Sequence, residues 1–387
     1  MTENSKTNPD RVTILRTGDL SPVVAEVLKV VDKIQSNFDH APLKILVKPN
    51  VVAPFPPERG VTTNPALVHE ICGALKGLGH TVSMGDCPGG NPGKTEETFR
   101  RAGFLDLCGD NYTNIGQDAR EVFFPCRECG KLFLAGAALE ADLIISMPRF
   151  KTSSYQFLTG AVKNLYGVIP GTQKMRIHRE FPERDDFAGM LIDLASLLPP
   201  RIAVIDGGLV MEGNGPIHGD IRRENLYIVS NSIFAADYAM ALMMGYDPEM
   251  VPTVRLSSER GLLIQEDIEF NPPGAPESLP DFVHPVTFSG GAAGDADAMD
   301  ASVREMVSVR VTFDEDSCVQ CGLCAENCPT GSIKMNPYPV LSQETCISCF
   351  CCNELCPTGA ARLEKDLGTI WSEAMKNEAG KIEPQKQ

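Results

Sequence analysis

The sequence predicts an α/β protein in which a mostly parallel, Rossmann-like sheet domain is followed by a small α+β module. Three observations predict it. Over the first 270 residues short apolar runs alternate with amphipathic helical patterns, as in parallel sheets with helices on their faces. From residue 271 to 305 the composition becomes that of a linker, with Pro272-Pro273-Gly274, Gly290-Gly291 and the acidic Gly294-Asp295-Ala296-Asp297. Beyond it, over 306–366, stands a dense run of cysteines, and 367–387 reads as a polar tail around the only tryptophan, Trp371.

The elements follow in order. Val12–Leu15 is the first strand. Ser21 and Pro22 open a helix whose Val24, Val27, Leu28, Val31 and Ile34 share one face. Lys44–Val47 is a strand of the buried type that ends in Lys48-Pro49-Asn50. Asn64-Pro65 starts the next helix, with Val68, Ile71, Cys72, Leu75 and Leu78 inward and a stop at Gly79. Thr81–Met84, Leu143–Met147, Ile202–Ile205 and Leu226–Val229 are further strands, and Asp185–Leu198 and Phe234–Met244 further helices. Val307–Phe313 leads the C-terminal module.

Polar motifs cluster just past the strands. Gly85-Asp86-Cys87 opens a Gly-rich turn that runs into Gly93-Lys94-Thr95, but a phosphate-binding loop needs its first glycine at position 88, which is Pro88. An ATP site is therefore disfavoured, leaving only a generic anion-binding turn at a helix start. The segment from Pro148 to His178 interleaves cations, amides and hydroxyls with glycines, which suits an anionic ligand beyond a strand end or, equally, a solvated loop. Cys126 and Cys129 could join Cys87 and Cys108 in a further thiolate site, although unpaired reduced thiols are the simpler reading.

The C-terminal cysteines are the sharpest signal. Cys318, Cys321, Cys324 and Cys328-Pro329 are repeated as Cys346, Cys349, Cys352 and Cys356-Pro357, the bacterial run for a [4Fe–4S] cluster written twice. In two-cluster ferredoxins the fourth cysteine of each run serves the other cluster. This assigns Cys318, Cys321, Cys324 and Cys356 to one cluster, and Cys346, Cys349, Cys352 and Cys328 to its neighbour, in a ferredoxin-type module. Structural zinc and disulfides compete for the same residues, but zinc sites usually present two separated pairs. Cys351 is one cysteine too many. The register of the first run selects Cys352 as ligand and leaves Cys351 a bystander or a substitute.

Lys48-Pro49-Asn50, Gly85-Asp86, Pro148 with Lys151-Thr152, Thr159-Gly160-Ala161-Val162-Lys163-Asn164 with Gly167, Asp206-Gly207 with Glu212-Gly213 and Gly215-Pro216, and Ala236-Asp237 with Met244-Gly245 together resemble the signatures of the DUF362 family. That is a domain-of-unknown-function family sometimes fused to ferredoxin modules, and the resemblance spans roughly residues 40 to 265. Arg149 stands where many members carry lysine, and Ser153 where histidine often follows Lys-Thr. The resemblance implies that these polar motifs belong together; it implies no particular reaction.

Composition narrows the function classes. The chain carries 51 acidic and 35 basic residues, a net charge of −16, which disfavours nonspecific nucleic-acid binding and suits docking to a basic redox partner protein. Met1 to Asp10 lacks the apolar core of a signal peptide, and no run approaches the roughly 20 apolar residues of a membrane span, so a cytoplasmic protein is expected. Two functions remain. The first is an oxidoreductase or reductive activator that passes low-potential electrons through two clusters to an anionic ligand. The second is an electron carrier or a maturation or docking factor for another redox enzyme. For the first, Lys48, Asn50, Lys151 and Asn164 are candidate anion-binding groups. Asp86, Lys163, Asp206 and Glu212 are candidate catalytic residues, with His178 a proton donor and Asp237 a further acid. Several carboxylates without clustered histidines would suit a hard divalent metal such as Mg²⁺. No dinucleotide fingerprint is present.

Overall fold

A computed structural model describes residues 9–89, 92–124, 130–288 and 308–366, and the chain divides into two units, Met1–Pro285 and Val286–Gln387. In the first unit β1 (Arg11–Arg16), β2 (Lys44–Pro49) and β3 (Thr81–Met84) are followed by a separate antiparallel pair, β4 (Ala119–Phe123) and β5 (Lys131–Ala135). Then come β6 (Leu143–Met147), β7 (Arg149–Ser153), β8 (Phe157–Thr159), β9 (Arg201–Glu212), β10 (Asp220–Ser230) and β11 (Glu269–Asn271). Nine of these form one sheet in the order β11-β1-β10-β9-β6-β2-β3, with β7 on β9 and β8 on β7. The β3-β2-β6-β9 ladder is parallel, as is β7 on β9; β10 runs antiparallel between β9 and β1.

The period-2 pattern of the strands divides two cores. Ile45, Val47, Leu143, Ile145, Ile202 and Val204 face the helices Ser21–Gln35 and Pro65–Gly77, which contribute Val23, Val27, Val31, Val68, Ile71 and Leu75. Cys72 and Cys108 belong to this core, where burial lifts their thiol pKa values to about 12 and about 11, so they are packing groups. The helix Ile233–Met243 packs on β9, β10 and β1. It buries nine of its eleven residues, which is why its sequence is apolar almost all round.

Two stretches differ from the sequence expectation. Pro148 has no N–H to continue a ladder and divides one strand into β6 and β7: β6 pairs with the first part of β9, and β7 with its second part. The polar segment after Pro148, expected as a loop, is thus sheet, and every residue of β7 and β8 is buried. Likewise β9 does not end at Ile205 but runs through Asp206-Gly207-Gly208 to Glu212, because β10 pairs with it along that length.

The expected linker also begins later than residue 271. Asn271 pairs with Thr13, Leu279 N–H donates to the Met243 carbonyl (2.7 Å), and His284 stacks on Tyr246 with centroids 4.4 Å apart. Residues 271–285 therefore pack as part of the first unit; 289–307 and the expected tail 367–387 lie outside the described residues.

In the second unit β12 (Ser308–Phe313) pairs antiparallel with β15 (Ala361–Asp366), and β13 (Ile333–Asn336) with β14 (Tyr338–Leu341). Two single-turn helices, Leu323–Glu326 and Cys351–Glu354, occupy equivalent places in the two cysteine runs.

Candidate functional site

Cysteine spacing becomes geometry in the second unit. Cys318, Cys321, Cys324 and Cys356 line one cavity, closed by apolar groups that include Phe313, Leu323, Met335 and Pro339. The other four thiols are mutual neighbours: the Cys352 thiol is held above its usual pKa by burial first, then by Cys349, Cys346 and Cys328. Each fourth cysteine thus sits with the other run's three.

The backbone explains how short loops achieve this. Gln320 and Gly322 in the first run, and Ser348 and Phe350 in the second, have left-handed φ of 54°, 77°, 49° and 57°. Such alternation turns successive N–H groups toward one concave side and makes a pocket for an anionic cluster. Donors to sulfur are already in place: Ser332 N–H to Cys328 Sγ (3.2 Å) and Ser348 N–H to Cys346 Sγ (3.4 Å). Four thiols around one apolar cavity fit a cubane. Among the described residues no three His, Cys, Asp or Glu side chains gather as ligands of a single metal ion.

In the first unit the structure sorts the candidate residues. Lys48, at the end of β2 and fully buried, lies 2.8 Å from Asp86 Oδ1 and donates to Asn164 Oδ1 (3.2 Å). Asn164 Nδ2 returns a bond to the Lys48 carbonyl (3.1 Å) and another to Ser146 Oγ (3.1 Å), while Asp86 Oδ2 accepts from Val51 N–H (2.8 Å). Gly167 makes this packing feasible, since a Cβ there would stand 1.9 Å from Asp86 Oδ1. Lys174 donates to the Cys87 carbonyl and lies over the Tyr166 ring at 5.7 Å. Burial lowers its ammonium pKa, with Cys87 and Asp86 pulling it back up and Lys48 pushing further down. Burial likewise lifts the Cys87 thiol to about 11.

His178, one helical turn from Lys174, stacks on Phe187 at 4.6 Å and carries a buried Nδ1 with no hydrogen-bond partner among the described residues. Burial, then Lys163 and Lys174, depress its pKa to about 3. That shift favours the neutral imidazole near pH 7. Lys163 donates to Ser153 Oγ (2.7 Å), so the serine standing in the place of the family's histidine is a partner for a lysine. Asn50 N–H donates to Thr63 Oγ1 (2.9 Å), and its buried Oδ1 lacks a hydrogen-bond partner among the described residues.

The other candidates are engaged elsewhere. Asp206 pairs with Arg149, both buried, and accepts from Asn64 N–H (2.7 Å) and Gly208 N–H (3.1 Å). Glu212 accepts from Arg222 (3.2 Å) and Val283 N–H (3.1 Å). Asp237 receives Ala161 N–H (2.5 Å) and Val162 N–H (3.1 Å), yet burial still raises its carboxyl pKa to about 7. Lys151 reaches the Val61 carbonyl at 2.6 Å. Each of the four carboxylates is held by its own partners, a cation for Asp86, Asp206 and Glu212 and two backbone N–H groups for Asp237, and among the described residues no three His, Cys, Asp or Glu side chains gather at one point. Cys126 and Cys129 lie outside the described residues. Sequence reading passed over Lys174 as a candidate; its i, i+4 spacing to His178 on the helix Gln173–Glu180 is the signal that would have found it.

An α/β domain with a buried polar cluster beyond its parallel strands, followed by a cysteine module that fits [4Fe–4S] binding, defines an iron–sulfur protein with an electron-transfer module. Residues 45–242 match the family model "Domain of unknown function (DUF362)", and residues 311–334 match a 4Fe-4S binding domain. The chain belongs to the DUF362 family. It is 29% identical over 238 residues to the thylakoid-associated protein sll1697 of Synechocystis sp., covering 58% of this chain and 70% of that protein. Among solved structures, the lactate racemase apoprotein from Thermoanaerobacterium thermosaccharolyticum aligns at a TM-score of 0.37 and 14% identity, over 62% of this chain and 57% of that one. No helix among the described residues is long and apolar enough to cross a membrane.

Proposed function

We propose that the protein passes low-potential electrons through two [4Fe–4S] clusters to an anionic ligand bound in its α/β domain, as a cytoplasmic oxidoreductase or reductive activator. Cys318, Cys321, Cys324 and Cys356 would hold one cluster; Cys328, Cys346, Cys349 and Cys352 would hold the other. So bound, each supplies one-electron transfer with no open iron site for substrate. A basic electron-donor protein fits the net charge of −16.

The observation that carries the ligand reading is the buried group Lys48–Asp86–Asn164 with Lys174 beside it, just beyond the carboxyl ends of β2 and β3, where α/β sheets bind ligands. Two ammonium groups face one carboxylate there, which favours an anion. In this site Lys48 and Lys174 bind charge, Asn164 orients, and neutral His178 can offer or accept one hydrogen bond. The alternative, an electron carrier or docking factor, draws support from Asp206, Glu212 and Asp237, all engaged in structural bonds.

Anaerobic reconstitution with iron and sulfide tests the first claim: about eight irons per chain and two reducible clusters by EPR are expected. About four irons, or zinc instead, would refute it. Calorimetric titration of the reconstituted protein with small carboxylates and phosphate tests the second. Saturable binding weakened at least tenfold in Lys174→Ala supports the ligand site; no binding favours the carrier.

A further inference from the structure

The parallel strands β2, β6 and β9 give the sheet two distinct ends, and Lys48 lies at the end where β2 finishes. At the opposite end, where β9 begins and β10 finishes, the first unit opens a second cleft of about 590 Å³. That volume falls in the range of small-molecule sites. Its floor is apolar. Val30, Ile34 and Phe38 are half-buried along the end of the helix Ser21–Gln35 and the turn after it, and Ile233 and Phe234 are buried at the start of the helix Ile233–Met243.

Four cations line the cleft, and they divide by partner. Arg11 pairs with Glu269 (3.0 Å) and Lys29 with Glu26 (2.9 Å). Arg201 and Lys33 have no carboxylate at ion-pair distance among the described residues. The half-buried Arg201 guanidinium lies 5.9 Å over the Phe234 ring and donates from Nη1 to the carbonyls of Leu198 (3.3 Å) and Pro199 (3.4 Å). Its Nε is buried and has no hydrogen-bond partner among the described residues. Burial lowers its pKa. A desolvated cation with no acid beside it and an unused N–H is destabilising until an anion completes it. The two carboxylates of the lining do not serve: Glu26 is taken by Lys29 and the Thr13 hydroxyl (2.9 Å), and burial raises the Asp10 carboxyl pKa. We propose that this cleft binds a small amphipathic carboxylate, its head at Arg201 and Lys33 and its hydrocarbon body on the floor of Val30, Ile34, Phe38 and Phe234. The site is separate from the Lys48–Asp86–Asn164 group and stands whether or not that group takes a ligand.

The test is calorimetric titration of the full-length protein with hexanoate, octanoate and decanoate, and with octanol as the uncharged control. Saturable one-to-one binding is expected, tightening by up to about fourfold per added methylene as the chain covers the apolar floor. Octanol should bind at least tenfold more weakly than octanoate. Arg201→Met should weaken octanoate at least tenfold and Lys33→Ala severalfold, while Lys174→Ala, at the other end of the sheet, should leave it unchanged. Lys33 is exposed, so its variant keeps the test decisive even where denaturant unfolding shows that Arg201→Met has lost the fold. Absence of saturable binding would overturn the proposal, as would octanol binding as tightly as octanoate. Affinity indifferent to both Arg201 and Lys33 would overturn it too, leaving Arg201 as a cap for the Leu198 and Pro199 carbonyls. Loss of octanoate binding in Lys174→Ala alone would move the ligand to the other site. A concentration-dependent dimer in sedimentation, with no fatty-acid binding, would make the cleft a contact between copies instead.

Discussion

Lys48 and Asp86 form an ion pair of 2.8 Å between side chains almost wholly withdrawn from water. Lys48 comes from the end of β2, Asp86 from just past β3, so adjacent parallel strands meet at this pair. Removing one partner leaves the other buried and uncompensated. Lys48→Met should therefore cost about 3–5 kcal/mol of unfolding free energy, whereas the double variant with Asp86→Leu should recover much of it. Denaturant unfolding of the two single variants and the double completes the cycle. A Lys48→Met cost under about 1 kcal/mol would show that the pair is open to solvent.

Gly167 is the complement of that pair. Any Cβ at this position must displace the Asp86 carboxylate and crowd Lys48 Nζ, which would be 2.6 Å away. Gly167→Ala is expected to destabilise by about 1–3 kcal/mol through overpacking, and to weaken anion binding as the pair shifts. Thermal unfolding and the calorimetric titration read the two effects separately.

Asp237 gives a pH signature. In the folded chain its carboxyl titrates at about 7, because burial outweighs the two amide bonds from Ala161 and Val162. An unfolded aspartate releases its proton near 4. Between those values the folded state holds the extra proton, so this group's contribution to stability falls as pH rises through the window. Asp237→Asn mimics the protonated form and lacks that slope. The melting temperature of the variant relative to wild type should therefore improve from pH 5 to pH 8; a constant difference would show that Asp237 is ionised throughout.

What sequence could reveal of this fold depended on whether local pattern and tertiary context agreed. β1, β2, β3 and β6 were legible because apolar runs of buried type are self-announcing, and the flanking helices because their inner faces repeat at helical spacing. β7 and β8 were not: Lys151, Thr152 and Ser153 look like a solvated loop, and only tertiary bonds such as Lys151 to Val61 make a buried polar strand affordable. The strand read over Ile202–Ile205 stopped short of Asp206-Gly207-Gly208 for a similar reason, since nothing local says that β10 continues alongside. Among the polar candidates, sequence found Lys48, Asp86 and Asn164 but could not separate them from Asp206 and Glu212. Which carboxylate meets which cation is decided by strand order.

The crossing of the two cysteine runs yields the last prediction. Cys356 lies 32 positions or more beyond Cys318, Cys321 and Cys324, yet lines the same cavity, while Cys328 neighbours Cys346 and Cys352. If each cluster drew all its ligands from one run, Cys328→Ser would disturb the same reduction step as Cys321→Ser. With the runs crossed, Cys321→Ser and Cys356→Ser should alter one step, and Cys328→Ser and Cys349→Ser the other. Redox titration followed by EPR on the four reconstituted variants discriminates the two wirings. Pairing by run, Cys321 with Cys328 and Cys349 with Cys356, would mean that the geometry of the folded thiols is not the geometry of the loaded module. Pairing across the runs would tie the folding of each half to the cluster of the other, so that neither run could load its cluster alone.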